Sequence, residues 1–407
     1  MSKNVPEVRF DGFIGEWEEK FLGNEVEFYS GLTYSPEDIV TKNGTLVLRS
    51  SNVKNGEIID ADNVYVDPSK VNSQKVKQGD VIVVVRNGSR QLIGKHATVK
   101  KKLDNTVIGA FMTGIRSENS NFTNAILDTT QFAIEINRNL GATINQITTG
   151  NFKKMKFFFP SNKEQQKIGT FFEQLDDTIA LQQQLVEQQQ QYKKAMLQKM
   201  FSQKGESVPK VRFFGFTDKW EQRKLEEVVE DVSGNDGRTD LPVLTISAGQ
   251  GWMSQKDRFS QVIAGNELKN YTLLKKGELS YNHGNSKLAK YGAVFELNEY
   301  DEALVPRVYH SFKSNHKSNP TFLEYLFSSK IPDRELGKLV TSGARMDGLL
   351  NINKKAFFGI TISIPKLEEQ QKIGTFFKQL DDTITLHEKK LEDYQQLKKA
   401  LLKRMFV

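Results

Sequence analysis

The chain has 407 residues, a formal charge of +7, a pI near 9.1 and no cysteine. Absent cysteine excludes disulfides, thiolate metal sites and cysteine nucleophiles together, and the basic excess suits a polyanionic partner without requiring one. The histidines, His96, His283, His310, His316 and His387, have no paired metal-site spacing, and the longest strongly apolar run, Val81 to Val85, is far too short to span a bilayer. The first residues, MSKNVPEVRF, have no signal-peptide apolar segment, so the expected location is the cytoplasm, away from any membrane.

From the N-terminus, the chain opens with VPEVRFDGFIGEW, Val5 to Trp17. A lobe follows, to about residue 160, written in strand-like runs: Thr45 to Arg49, Val81 to Val85, Thr106 to Ile108, Phe132 to Ile136 and Met155 to Phe159. Asn43-Gly44, Asn55-Gly56 and Asn87-Gly88 mark turns between them. Pro160 ends the lobe, Ser161 or Asn162 supplies a helix cap, and residues 161–203 hold a long Pro-free helix. Its apolar stripe is Ile168, Phe172, Leu175, Ile179, Leu185, Tyr192, Met196 and Met200. The polar linker SQKGESVPK leads into a second half, 204–365, which begins with VPKVRFFGFTDKW, Val208 to Trp220. Strand-like runs follow at Val243 to Ile246, Glu278 to Tyr281, Gly292 to Leu297 and Gly359 to Ile364, with a helix at Pro320 to Ser329. Residues 366–407 form another long helix, striped by Ile373, Phe377, Leu380, Ile384, Leu391, Tyr394, Leu401 and Met405.

Glu164 to Phe201 and Glu369 to Phe406 share 25 of 38 residues at a constant offset of 205. With the repeated opening segment, this divides the chain into tandem copies of one plan: a lead, a strand-rich lobe and a long helix. Trp17 and Trp220 are expected to anchor each lead to its lobe. The lobes themselves match only in their punctuation, as in KQGDVIVVVRNGS, from Lys77, against KKGELSYNHGNS, from Lys275. A narrow seam along a helix of about 57 Å, present twice, suits a coiled coil of one helix on the other, although a dimerisation helix or a helical hairpin fits the pattern alone. The fold class is therefore α+β, with two mixed, strand-rich lobes in tandem, each followed by a long helix. Near-identical helices beside divergent lobes suggest one partner met twice and two different targets.

This arrangement, with EQQKIGTFF-QLDDTI standing twice behind a Pro-terminated strand, resembles the specificity subunits of type I restriction-modification systems over essentially the whole chain. The resemblance implies target-recognition lobes that each read half of a split duplex DNA site, and helices that pack antiparallel as a spacer. An antiparallel pair would relate the lobes by a pseudo-twofold. The resemblance also implies two modification subunits that methylate adenine and two restriction subunits; S-adenosylmethionine, ATP and Mg would lie on those partners, with no cofactor on this chain.

Catalytic motifs are missing by this reading. Asn319-Pro320-Thr321 lacks the second Pro and the aromatic residue of an adenine methyltransferase, and the segment from Gly88 to His96 has the wrong glycine spacing for a phosphate loop. The acidic pairs Asp176-Asp177 and Asp381-Asp382 fall on the helices, where a solvated or partner-facing side is expected. No catalytic or metal-binding residue is assigned.

Polar and basic residues on inter-strand loops are the candidates for duplex DNA, since Arg suits guanine, Asn or Gln adenine, and Lys phosphate. In the first lobe these are Arg49, Ser51, Asn52, Lys54, Arg86, Asn87, Ser89, Arg90 and Lys95. In the second they are Ser247, Gln250, Trp252, Ser254, Lys256, Asn282, His283, Asn285, Ser286, Lys287 and Lys290, with Arg307 and Arg345. The competing function is a protein-interaction scaffold with a helical dimerisation rod.

Overall fold

The computed structural model describes residues 4–140, 145–259, 265–284, 286–340 and 349–407. The chain divides into two compact units, one of residues 1–185 with 387–407, the other of residues 186–386. Each unit thus holds one lobe, the start of one long helix and the end of the other, a division that cuts across the sequential boundaries at 160, 203 and 365. The helices run Asn162–Lys199 and Leu367–Met405. Among the described residues, no helix is long and apolar enough to cross a membrane.

The first lobe is organised on a four-stranded antiparallel sheet in the order Glu27–Ser30, Met112–Arg116, Val81–Val84, His96–Thr98. Val81–Val84 is wholly buried in its centre, which is why it reads as a continuous apolar run and not as an alternation. The second lobe repeats the sheet with Val229–Val232, His310–Ser314, Leu279–Asn282 and Ala293–Glu296. Smaller sheets flank both, including a parallel pairing of Thr45–Leu48 with Thr106–Ile108. Asn55-Gly56 makes the expected two-residue hairpin, Asn55 at φ 53° and Gly56 at φ 75°, a pair of positive values that suits these residue types.

One expected strand is a helix. Phe132–Ile136 lies within Thr130–Asn139, whose first turn is capped by the Thr129 hydroxyl accepting from the Phe132 N–H. Phe132 and Ile136 are four residues apart and both buried, so they form one helical face; Ile134, between them, is 44% exposed. The alternation in FAIEI is genuine, but the capped helix buries only two of its three large apolar residues.

The repeated motif is a clamp between lobe and helix, built alike in both units. Arg9 of VRF makes a bidentate pair with Glu164 of EQQ at 2.7 and 2.7 Å, and Arg212 does so with Glu369 at 2.6 and 2.7 Å. The next Gln ties the helix start to the lobe: Gln165 donates to Pro160 O and accepts from Asn119, while Gln370 donates to Pro365 O and Lys317 O and accepts from the Asn319 N–H. The helical Gly of KIG permits the close approach. A Cβ at Gly169 would stand 2.7 Å from the Phe122 backbone N, and one at Gly374 3.2 Å from that of Phe322.

Trp17, 1% exposed, packs edge-on against Phe122 and Phe406, as Trp220 does against Phe322 and Phe201. The anchoring role expected of the tryptophans therefore extends to the end of the incoming helix. The backbone follows suit, with Val8 N–H donating to Arg404 O and Val211 N–H to Lys199 O, both at 2.9 Å.

Within each unit the helices run antiparallel. In the first, Phe172 meets Phe406, Asp176 meets Lys398, and Gln182 meets His387, so one number climbs as the other falls. In the second, Phe377 meets Phe201 and Asp381 meets Lys193, the same pairs with the helices exchanged. Asp176 and Asp381, expected on a solvated or partner-facing side, accordingly turn towards a lysine of the opposing helix while keeping 25% and 36% of their side chains exposed. The seam needs correction as well. Ile168, Phe172, Met200, Ile373, Phe377, Leu380, Ile384 and Met405 are buried, and Leu175, Ile179, Leu185, Met196, Leu391, Tyr394 and Leu401 are half-buried. Tyr192 is 48% exposed, whereas Val186 and Leu402, missing from the stripe, are buried.

Lys398 also joins Asp128 at 2.6 Å, and Asp128 meets His96 Nε2 at 3.3 Å. Burial works to raise the Asp128 carboxyl, but His96 and Lys398 overcome it and hold the group at about 2; the same contact lifts His96 above its ordinary value despite burial. A depressed carboxyl contributes stability above its unfolded value near 3.8 and loses it as pH falls towards 2. A raised imidazole contributes fully below 6.5 and loses it as pH rises through its folded value. Asp128→Asn is therefore expected to cost roughly 2 kcal/mol near pH 5 to 6 and progressively less towards pH 2, read by thermal unfolding across pH.

Candidate nucleic-acid interface

In the first lobe the buried strand Val81–Val84 delivers the chain to an exposed loop at Arg86. The Phe111 carbonyl accepts from the N–H groups of both Val85 and Arg86, at 2.9 and 3.2 Å, and the Arg86 guanidinium lies 4.9 Å over the Phe111 ring. Asn87 fastens this loop to its neighbours. Its amide donates to Ser50 Oγ at 3.1 Å, its Oδ1 accepts from the Ser89 N–H, and Asn145 returns a bond to Gly88 O at 3.0 Å. Two candidate stretches far apart in sequence, 49–52 and 86–90, thereby share one surface.

The individual residues differ in what they can offer. Arg86, Ser89, Arg90 and Lys54 are exposed, Lys54 on the Val53–Ile58 hairpin, and Ser51 is half-buried. Arg49 is half-buried with its guanidinium on the Asp62 carbonyl. Lys95 is also half-buried, and burial lowers its ammonium below the ordinary lysine value. Asn52 is corrected: at 0% exposure it spends its amide on Ile59 O, Ala61 O and Asn63, and its Oδ1 on the Arg49 N–H. It shapes the loop from beneath and has nothing left for a base.

The second lobe converges similarly. Asn282 donates to Ile246 O at 3.2 Å and accepts from the Gly284 N–H, joining the loop after the central strand to the hairpin Leu244–Ser254. At the hairpin tip a Cβ on Gly249 would come within 3.1 Å of Leu288, so the tip and the 286–290 loop are neighbours. Gln250, Lys256, Ser286, Lys287, Lys290 and Arg307 are exposed; Ser247 and Ser254 are half-buried. The Lys290 ammonium rests 5.3 Å over the Tyr291 ring. Asn285 and Arg345 lie outside the described residues.

Two candidates here are corrected. Trp252 donates its indole N–H to Glu296 O at 3.1 Å and packs on a small apolar cluster with Leu244, Ile246 and Leu297, so it anchors the hairpin. His283, 5% exposed, faces Leu350 O at 2.7 Å with Nδ1 and Val308 O at 3.1 Å with Nε2, and its ring stacks on His310. It occupies the sheet position of Val85, and both polar atoms are committed to backbone carbonyls. Sequence reasoning missed Phe111, 52% exposed. Its only signal was an aromatic residue in the short break between Ile108 and Met112.

Neither lobe gathers metal ligands: among the described residues, no group of three or more His, Asp or Glu side chains could hold an ion. What the surfaces present is guanidinium, ammonium, amide and hydroxyl groups on loops braced by a rigid sheet, the donor set suited to phosphates and base edges.

Residues 14–189 and 217–395 each match the family described as the type I restriction modification DNA specificity domain. The chain belongs to that family. It is a specificity subunit, a non-catalytic part of a type I restriction-modification complex. Among curated relatives, it is 24% identical over 381 residues to the type I restriction enzyme EcoKI specificity subunit of Escherichia coli (strain K12), covering 86% of this chain and 79% of that one. It is equally identical, over 278 residues and 64% of each chain, to the MjaVIII specificity subunit of Methanocaldococcus jannaschii. The fold is similar to the crystal structure of the S subunit from M. genitalium, at a TM-score of 0.63 and 14% identity over 99% of both chains. As a specificity subunit, the protein works in a complex with other subunits and DNA.

Proposed function

We infer that each lobe of this specificity subunit reads one half of a bipartite duplex DNA site, and that the paired helices set the spacer between the halves. Two modification subunits dock on the helices and methylate adenine, and two restriction subunits complete the assembly in the cytoplasm. S-adenosylmethionine, ATP and Mg belong to those partners in this reading. The observation that carries it is the contrast between clamp and loops. Arg9–Glu164 and Arg212–Glu369 are the same pair, while exposed Arg86 stands where the second lobe has Gly284. A conserved scaffold with divergent donor sets is what two different half-sites would need.

Exposed apolar positions on the helices support docking of one kind of partner twice. Leu181 and Leu386, 68% and 52% exposed, are equivalent at the offset of 205, as are Tyr192 and Leu397 at 48% and 47%. Apolar side chains kept at solvent positions in both copies suit a protein surface.

The test is binding and methylation by the complex with its modification subunits, after mapping the modified adenines in cellular DNA. Arg86→Ala is expected to weaken specific binding by about 1–3 kcal/mol if it reads a base, or to flatten the salt dependence if it holds a phosphate. One heptad inserted within residues 182–191 is expected to lengthen the tolerated spacer and leave both half-sites unchanged; an altered half-site would contradict the ruler role.

A further inference from the structure

We propose that Phe111 and Val308 are apolar base-reading residues of the two lobes, each placed to contact a thymine methyl group in its half-site. The inference rests on the DNA-reading role proposed above and adds residues that polar pattern alone does not reveal.

The two positions are equivalent in the fold. Ile115 pairs with Val81 in the first sheet, and Phe312 pairs with Leu279 in the second; counting back four residues from each reaches Phe111 and Val308. Both precede the strand next to the central one, at the turn that opens onto the candidate surface. Both carbonyls are fixed by the same neighbouring position. Phe111 O accepts from the Val85 and Arg86 N–H groups, and Val308 O is met by the ring of His283, the counterpart of Val85.

Their side chains are left to solvent, Phe111 at 52% and Val308 at 37%. Single exposed apolar residues are ordinary on protein surfaces, so exposure alone decides nothing. Here it recurs at one position of two lobes whose loops otherwise diverge, on backbone that hydrogen bonds hold still. Each site also carries a cation suited to the phosphate backbone: Arg86 lies over the Phe111 ring, and exposed Arg307 directly precedes Val308. Polar and basic loops around an apolar tip match a major-groove edge, where the one apolar feature is the C5-methyl of thymine.

The experiment uses the complex with its modification subunits and duplexes in which each thymine of the mapped site is replaced in turn by deoxyuridine, which lacks only that methyl. Wild-type complex is expected to lose roughly fourfold to tenfold in affinity at one thymine in each half-site, the value of a buried methyl group. Phe111→Ala should lose a similar factor on unmodified DNA, no longer distinguish thymine from deoxyuridine in its own half-site, and respond as wild type in the other half-site, which also reports that the variant is folded. Val308→Ala should give the mirror result, and Phe111→Leu should restore part of the discrimination. Wild-type indifference to deoxyuridine at every thymine, or a Phe111→Ala complex that keeps wild-type affinity and discrimination, would overturn the proposal while leaving the DNA-reading role standing. Wild-type binding that ignores sequence altogether would remove that role and this inference with it.

Discussion

Arg212→Ala lowers the unfolding free energy of the second unit by about 3–5 kcal/mol, because it strands a carboxylate in a site that water does not reach. Glu369 is 0% exposed, and both of its oxygens are bonded to that guanidinium. Arg9→Ala has the same consequence for Glu164, 1% exposed, in the first unit. Replacing both partners together, as in Arg212→Met with Glu369→Leu, should recover most of the loss, since desolvating two charges offsets much of their attraction. Urea unfolding of the single and double variants measures this. A single-variant loss under about 1 kcal/mol would place the pair in the class of exposed ion pairs and contradict its burial.

Phe201→Ala is expected to cost about 3–5 kcal/mol, the range for emptying a filled aromatic site. Its ring, 0% exposed, meets Phe322, Phe377 and Trp220 at 5.5, 5.8 and 6.3 Å, so the deletion leaves a cavity bounded by the lead, the lobe and the other helix. Phe406, its equivalent against Phe122, Phe172 and Trp17, is only half-buried. Phe406→Ala should therefore cost measurably less, and equal losses would show that the two ends are packed alike. Both values are read as shifts in the urea midpoint at unchanged slope.

Much of the architecture was legible because it was written twice. Repetition exposed the leads, the lobes and the helices, and apolar runs with turn dipeptides located most of the strands. Phe132–Ile136 was misread because FAIEI satisfies two periods at once, and a threonine cap with burial at a spacing of four chose the helix. Tyr192 lies on the stripe and meets the Phe376 ring edge-on, yet is 48% exposed. A stripe defines a face, but which positions along it are covered depends on what the opposing helix and lobe supply at each level.

The candidate interface was legible as a set of loops but not as a set of donors. Asn52 and His283 have suitable chemistry in suitable places along the chain, yet both are consumed by backbone groups that only folding brings near. Phe111 went unnoticed because nothing local separates an exposed aromatic residue from a core one.

By itself, the sequence determined the duplication, the helical rods and the lack of thiol chemistry, since these follow from periodicity, composition and repeated motifs carried within continuous stretches, and the twice-written EQQKIGTFF-QLDDTI carried the family resemblance. Tertiary structure alone decided that VRF and EQQ are two halves of a clamp, that Asp176 and Asp381 each face a lysine of the opposing helix, and which loop residues remain available to a ligand. The clamp and the carboxylates depend on partners more than a hundred residues away, as with Arg9 and Glu164, the loop residues on carbonyls nearer in the chain, as with Asn52 and Ala61 or His283 and Leu350, and no local pattern encodes whether a polar group will meet water or a backbone carbonyl.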